Sequence, residues 1–371
     1  MHERLHSAKR VVIKLGSSLI QRDGALARDW LASIAEDVRD LRAQGKEVLV
    51  VSSGAVALGR PLLKLGTGTL ELSEKQAAAA AGQPYLMQAW QSALHAVGHE
   101  CAQVLITLED SELRKRYLNA RGTLQQLLAH GIIPIINEND TVATSELRYG
   151  DNDRLAARLA VMIEADCLLI LSDVDGLYDA NPRTNPEAQH IAQIDTITPQ
   201  IEAYAKGAAS ALSQGGMITK LVAAKIATAA GCHTAIVSGI AAHPIGALAH
   251  GARASWFTSS LTPKQARKQF IAASLAVKGT LTVDDGAKAA LLAGKSLLPA
   301  GVTACSGAFD RGDTLDVLTA DGSKIARGLT AYNAQEAAAL MGKRSGDIAA
   351  ILGYAGKETL IHRDDLVMLI P

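Results

Sequence analysis

The chain has 371 residues, 48% of them hydrophobic, with 37 Lys and Arg against 37 Asp and Glu. That is enough apolar material for one large domain plus a small one, and it excludes wholesale disorder. A net charge of zero gives no electrostatic case for a nucleic-acid or membrane partner. Cys101, Cys167, Cys232 and Cys305 are far apart in the chain, form no CxxC pair and read as buried free thiols. The opening MHERLHSAKR lacks a signal-peptide core, and no apolar run approaches the roughly 18 residues of a membrane span. The expectation is a soluble, cytoplasmic protein.

Arg10–Leu15 reads as a first buried strand ending at Gly16-Ser17-Ser18, and Lys14 interrupts it. A lysine there needs an anionic partner, unless its stem carries the ammonium out to solvent. An amphipathic helix follows, with Leu26, Trp30, Ile34, Val38 and Leu41 on one face and Gly45 ending it. Val48–Val51 is a second strand running into Ser52-Ser53-Gly54-Ala55. That small-residue turn before a helix is either an anion cradle of N–H groups and hydroxyls or an ordinary tight turn. Ser73–Val97 reads as an alanine-rich helix broken at Gly82–Pro84, followed by a strand over Cys101–Leu108 and a helix over Arg114–His130.

The densest polar stretch lies between Gly131 and Ala157. Ile132–Ile136 suits a strand covered on both faces, and Asn137-Glu138-Asn139-Asp140 emerges at its carboxyl end, where parallel sheets bind ligands. Asp151-Asn152-Asp153 opens the next helix, Arg154–Glu164, as a cap or as the second half of a converging site. Such side chains recognise ammonium and hydroxyl groups, hold Mg²⁺ or orient lysines.

Cys167–Leu171 is another buried strand, followed by Ser172-Asp173-Val174-Asp175-Gly176-Leu177-Tyr178. Ser213–Lys220, SQGGMITK, then leads into a helix over Leu221–Ala230. Adjacent glycines there let backbone N–H groups approach a phosphate that Lys220 can meet, although the spacing is not that of a Walker loop and a plain hinge is the alternative. Last strands fall at His233–Val237 and Ser255–Thr258. Alternating strands and helices predict a three-layer αβα sandwich around a mostly parallel sheet over residues 1–259. Residues 260–276 read as a basic linker. Residues 277–371 read as a small β-barrel built from short strands punctuated by glycine and aspartate. From Lys278 on, ten Lys and Arg face eleven Asp and Glu, so a barrel gripping RNA is not expected.

Taken together, VVIKLGSS, VSSGAVALG, IINENDTVAT, GDND, LSDVDGLY and GGMITK closely resemble the glutamate 5-kinase family of the amino-acid kinase superfamily, in order and spacing as well as content. The resemblance runs from about Lys9 to Thr258, and the segment from about Lys278 resembles the PUA domain that bacterial members often carry. It implies the amino-acid kinase fold and ATP- and Mg²⁺-dependent phosphorylation of the glutamate side-chain carboxylate, opening proline synthesis. The family's ATP-contacting lysine falls on Lys14, and its substrate positions on Ser53, Asp140 and Asn152. Further nucleotide positions fall on Ser172 and Asp173, and the phosphate loop on Gln214, Gly215, Gly216, Met217, Ile218, Thr219 and Lys220. Asp153 matches the aspartate that holds the two catalytic lysines, and no direct Mg²⁺ ligands are assigned. Feedback inhibition by proline and a dimeric or tetrameric assembly are also implied. Gln214 departs from the threonine common in the family, and Arg148 from a frequent lysine. Rival readings are a kinase for acetylglutamate or carbamate, an RNA-binding protein, and a non-catalytic amino-acid sensor.

Overall fold

The computed structural model describes residues 3–22, 25–143, 152–182, 184–207 and 216–369. Asp151, Arg148, Gln214 and Gly215, singled out from sequence, lie outside the described residues. Contacts divide the chain into two compact units, Met1–Pro263 and Lys264–Pro371.

The first unit is built on an eight-stranded sheet. Its strands are β1 (Arg10–Leu15), β2 (Glu47–Ser52), β3 (Cys101–Ile106), β4 (Ile133–Glu138), β5 (Cys167–Ser172), β6 (Gln193–Ile194), β7 (His233–Ser238) and β8 (Ala254–Phe257). They lie in the order β6-β8-β7-β5-β1-β2-β4-β3. All neighbours are parallel except β7 and β8. The first strand is therefore central, paired on both sides with Lys14 between Val51 and Ile170.

Helices cover both faces: α1 (Arg28–Ala43), α2 (Ala55–Leu62), α3 (Leu72–Ala96), α4 (Arg114–Ala129), α5 (Asn152–Met162) and α6 (Met217–Ala229). The period-two alternation of β1 divides the core. Val11, Ile13 and Leu15 pack with α1 and α3 residues, whereas Val12 packs with Leu155, Leu159 and Leu221 of α5 and α6. Lys14 shares the parity of Val12 and so faces the second layer.

One sequence expectation is corrected. Helix α3 runs unbroken through Gly82–Pro84. Proline deprives the Ala80 carbonyl of its helical donor, but Ala80 is exposed and can be hydrated there. Gly82 meanwhile serves packing. A Cβ on it would stand 1.9 Å from the Ala55 carbonyl oxygen, and one on Gly59 1.8 Å from that of Ala78. Backbone thus touches backbone between α2 and α3, which only glycine allows.

The second unit contains β9 (Val277–Val283), β10 (Val302–Gly307), β11 (Thr314–Thr319), β12 (Lys324–Leu329) and β13 (Leu366–Met368). They form a mixed sheet in the order β10-β9-β11-β12-β13. Its core includes Leu281, Val317, Ile325, Leu360 and Ile361. Buried Asp316 is satisfied by Arg327 Nε at 2.7 Å and Lys324 Nζ at 2.5 Å. The segment 260–276, read as a linker, carries the helix Pro263–Ala273, whose Arg267 Nε donates to Asp365 at 2.8 Å.

Candidate active site

Lys14 meets its partner at the carboxyl end of β1. Its Nζ is 2.5 Å from Asp153 Oδ1, and Lys220 Nζ is 3.3 Å from Asp153 Oδ2. All three side chains are buried, at 7%, 0% and 6% residual exposure for Lys14, Asp153 and Lys220. Burial alone would raise the Asp153 pKa, but the ammonium groups of Lys14 and Lys220 hold it below the usual carboxylate range. Thr219 Oγ1 stands 2.9 Å from Asp153 Oδ2 and 2.8 Å from the Gly216 carbonyl. With one hydroxyl hydrogen, it can donate to one of them at a time. Two ammonium groups thus share one carboxylate out of water. Such an arrangement favours an arriving anion strongly, because the low-dielectric surroundings weaken screening.

Helix α6 supplies the second lysine from its first turn. Gly216 caps it in extended backbone conformation, φ −63° and ψ −176°. The N–H groups of Met217 and Ile218 then have no intrahelical acceptor and point out of the positive end of the helix. Phosphate recognition there is consistent with the chemistry of both backbone and lysine.

The acceptor side of the site grows from the next residue along α5. Asn152, adjacent to Asp153, donates from Nδ2 to Ser53 Oγ at 2.6 Å and to Asn137 Oδ1 at 3.0 Å. Asn137 Oδ1 also accepts the Glu138 backbone N–H at 2.9 Å. Asn152 Oδ1 is buried with no hydrogen-bond partner among the described residues. A buried acceptor of this kind costs free energy until a donor reaches it, and a substrate donor is the economical answer. Ser53 sits in a turn whose Gly54 has φ +112°, a left-handed conformation that suits glycine. Asp140 follows β4, and burial pushes its pKa up to about 6. A carboxylate so poorly solvated gains from an ammonium neighbour.

Ser172 and Asp173 close β5, with Ser172 Oγ 3.1 Å from Asp173 Oδ1. Beyond them, a Cβ on Gly176 would fall 2.4 Å from both His190 Nε2 and Ser255 Oγ, so the DVDGLY loop can pass there only as glycine.

The structure thus brings Lys14, Asp153, Lys220 and Thr219 together, and joins Ser53 to Asn152 in a contiguous second cluster. Asp140, Ser172 and Asp173 lie at strand ends of the same edge, and Ile218 is exposed whereas Met217 is buried. The sequence places Asn137 in the polar run at the end of β4 but does not single it out from its neighbours; the structure does, through its bond to Asn152. The hydroxyl of Thr219, assigned to the nucleotide, here faces the central aspartate. Among the described residues no group of three His, Cys, Asp or Glu side chains is placed to hold a metal.

The amino acid kinase family matches residues 9–238, and the PUA domain family residues 279–352. The chain is 55% identical over 368 residues to glutamate 5-kinase 1 of Rhizobium meliloti, covering 99% of this chain and 94% of that one. It is 56% identical over 361 residues to glutamate 5-kinase of Rhizobium rhizogenes, covering 97% and 93%. Against glutamate 5-kinase of a Ruegeria species it is 55% identical over 366 residues, covering 98% and 99%.

Proposed function

The chain belongs to the glutamate 5-kinase family, and on that premise we propose that its first unit transfers the γ-phosphoryl group of ATP to the side-chain carboxylate of L-glutamate. The observation that carries this reading is the buried Lys14–Asp153–Lys220 cluster, directly beside the amide cluster of Asn152 and Ser53.

A side-chain carboxylate has a pKa of about 4.3 and is already the nucleophile at neutral pH, so no general base is needed. One carboxylate oxygen forms a bond to the γ-phosphorus as the bond from that phosphorus to the bridging oxygen breaks. The electron pair leaves with ADP, and the product is an acyl phosphate. The obstacle is the approach of two anions and the charge that spreads over the transferred oxygens. Lys14 and Lys220 oppose that charge, and Asp153 holds them apart at fixed positions rather than exchanging protons. Ser53 and Asn152 orient the amino acid, and Asp140 meets its ammonium group. Ser172, Asp173 and the start of α6 from Gly216 to Lys220 hold the nucleotide. Mg²⁺, when bound with ATP, would neutralise part of the phosphate charge.

The family resemblance supports further elements of the same reading: a place at the first step of proline synthesis, proline as an inhibitor competing at the acceptor site, a dimer or tetramer, and a cytoplasmic location. Residues 1–259 are assigned to catalysis and 277–371 to the PUA-like domain, with 260–276 between them. The test is acyl-phosphate trapping with ATP, Mg²⁺, glutamate and hydroxylamine. Glutamyl hydroxamate that requires both ATP and glutamate, and falls when proline is added, supports the reading. Product from acetylglutamate or carbamate but not from glutamate would transfer the site to another acid.

A further inference from the structure

Helix α3 touches the acceptor site at three places spaced seven residues apart. Gln76 Nε2 donates to the Ala143 carbonyl at 3.1 Å, Gln83 Oε1 accepts from Asn137 Nδ2 at 2.9 Å, and Trp90 Nε1 donates to Ser52 Oγ at 2.9 Å. A seven-residue spacing returns to nearly the same face of an α-helix, so these three contacts form one stripe. Each reaches a different segment of the site: the loop after β4, the end of β4, and the end of β2 just before Ser53. The glycine contact between α2 and α3 fixes this stripe against the serine turn from which α2 springs.

The middle contact has a further consequence. Asn137 Oδ1 is committed by the backbone N–H of Glu138, so its Nδ2 must find an acceptor elsewhere, and Gln83 supplies it. With Asn137 held in that orientation, Oδ1 also receives Asn152 Nδ2, which in turn reaches Ser53. The order of donors and acceptors along the chain leaves Asn152 Oδ1 as the buried acceptor without a partner among the described residues. Reversal of the Asn137 amide would set two donors against each other at Asn152.

We propose that Gln83 is a positioning residue for the acceptor amino acid, acting through Asn137 to hold Asn152 and Ser53 in their binding orientation. Gln83 reaches the site through Asn137 and not through the Lys14–Asp153–Lys220 cluster. Its effect falls on glutamate binding and leaves the lysine pair untouched. This inference rests on the functional reading above.

The test is steady-state kinetics of the full chain, with glutamate and ATP varied separately in the hydroxamate assay. Gln83→Met removes the acceptor in similar volume, and Gln83→Asn withdraws it by one methylene. Each variant is expected to raise KM for glutamate about tenfold, with kcat and the KM for ATP within about twofold of wild type. If the methionine variant does not fold, the asparagine variant decides. Variants of an active wild type that leave KM for glutamate within about twofold, or raise both KM values together, overturn the inference alone. A wild type that makes no product from glutamate overturns the functional reading, and the inference with it.

Discussion

Lys14 and Lys220 bind opposite oxygens of one carboxylate, that of Asp153, at 2.5 and 3.3 Å. One lysine comes from the central strand and the other from the first turn of α6, and neither element fixes the spacing of the two ammonium groups by itself. The aspartate does so, from the start of a third element, α5. Two ammonium groups converging on one carboxylate suit a site that must meet phosphoryl charge.

Lys220→Ala leaves Lys14 and Asp153 as a neutral pair. The variant is expected to lose about 10²–10³-fold in kcat, with little change in KM for glutamate, because the lost contact serves the transition state. Initial rates at saturating ATP check this. A raised KM with kcat unchanged would instead make Lys220 a ground-state binding group.

Asp153→Asn removes the shared counter-charge and leaves two buried ammonium groups side by side. Breaking such a pair from one side costs roughly 3–5 kcal/mol. The expected outcome is a lower denaturation midpoint together with a collapse of kcat, read by chemical unfolding and by the trapping assay. A variant as stable as wild type would show that the lysines are not held as the structure has them.

Asp140, with its pKa raised by burial to about 6, gives the acceptor site a pH dependence of definite sign. Above that value it is anionic and attracts the substrate ammonium; as pH falls through it, the carboxyl becomes neutral and the attraction is lost. KM for glutamate should therefore rise on acidification, by about tenfold at pH 5. Asp140→Asn should show a high KM that no longer varies across this window. A flat profile for wild type between pH 7 and pH 5 would remove Asp140 from ammonium recognition.

Gly82→Ala places a methyl group into the Ala55 carbonyl, where a Cβ would be 1.9 Å from oxygen. The helices must separate, at a cost of about 1–3 kcal/mol or more. A lowered Tm accompanied by a raised KM for glutamate is expected, since α2 begins at the serine turn. Unchanged thermal stability would contradict the backbone contact.

Much of this was legible in the sequence because burial and periodicity leave clear marks there. Lys14 stood out as a charge inside an apolar strand, and its parity with Val12 places it on the face where α5 and α6 pack. Lys220 and the Asp151–Asp153 run are marked by their places at helix starts, but the pairing of Asp153 with both lysines came from the family resemblance, since nothing local shows that two helix starts converge on one strand end. The continuity of α3 was misread because Gly-Gln-Pro breaks an isolated helix. The reason it does not break here is tertiary: α2 lies directly against Gly82, and Ala80, whose carbonyl receives no donor from Pro84, is an exposed residue open to water. Gln83 was invisible for the same reason, as a glutamine in an alanine-rich helix acquires meaning only when Asn137 is brought beside it.

The measurement that tests the central claim most directly follows the oxygen atoms. Glutamate labelled with ¹⁸O in its side-chain carboxylate is incubated with the enzyme, MgATP and hydroxylamine, and the released phosphate is analysed by mass spectrometry. Hydroxylamine attacks the carbonyl carbon of the acyl phosphate and expels phosphate that retains the former carboxylate oxygen. The account predicts one ¹⁸O atom in each phosphate released in step with hydroxamate. Unlabelled phosphate, formed whether or not glutamate is present, would mean that water and not the carboxylate receives the phosphoryl group, and would contradict it.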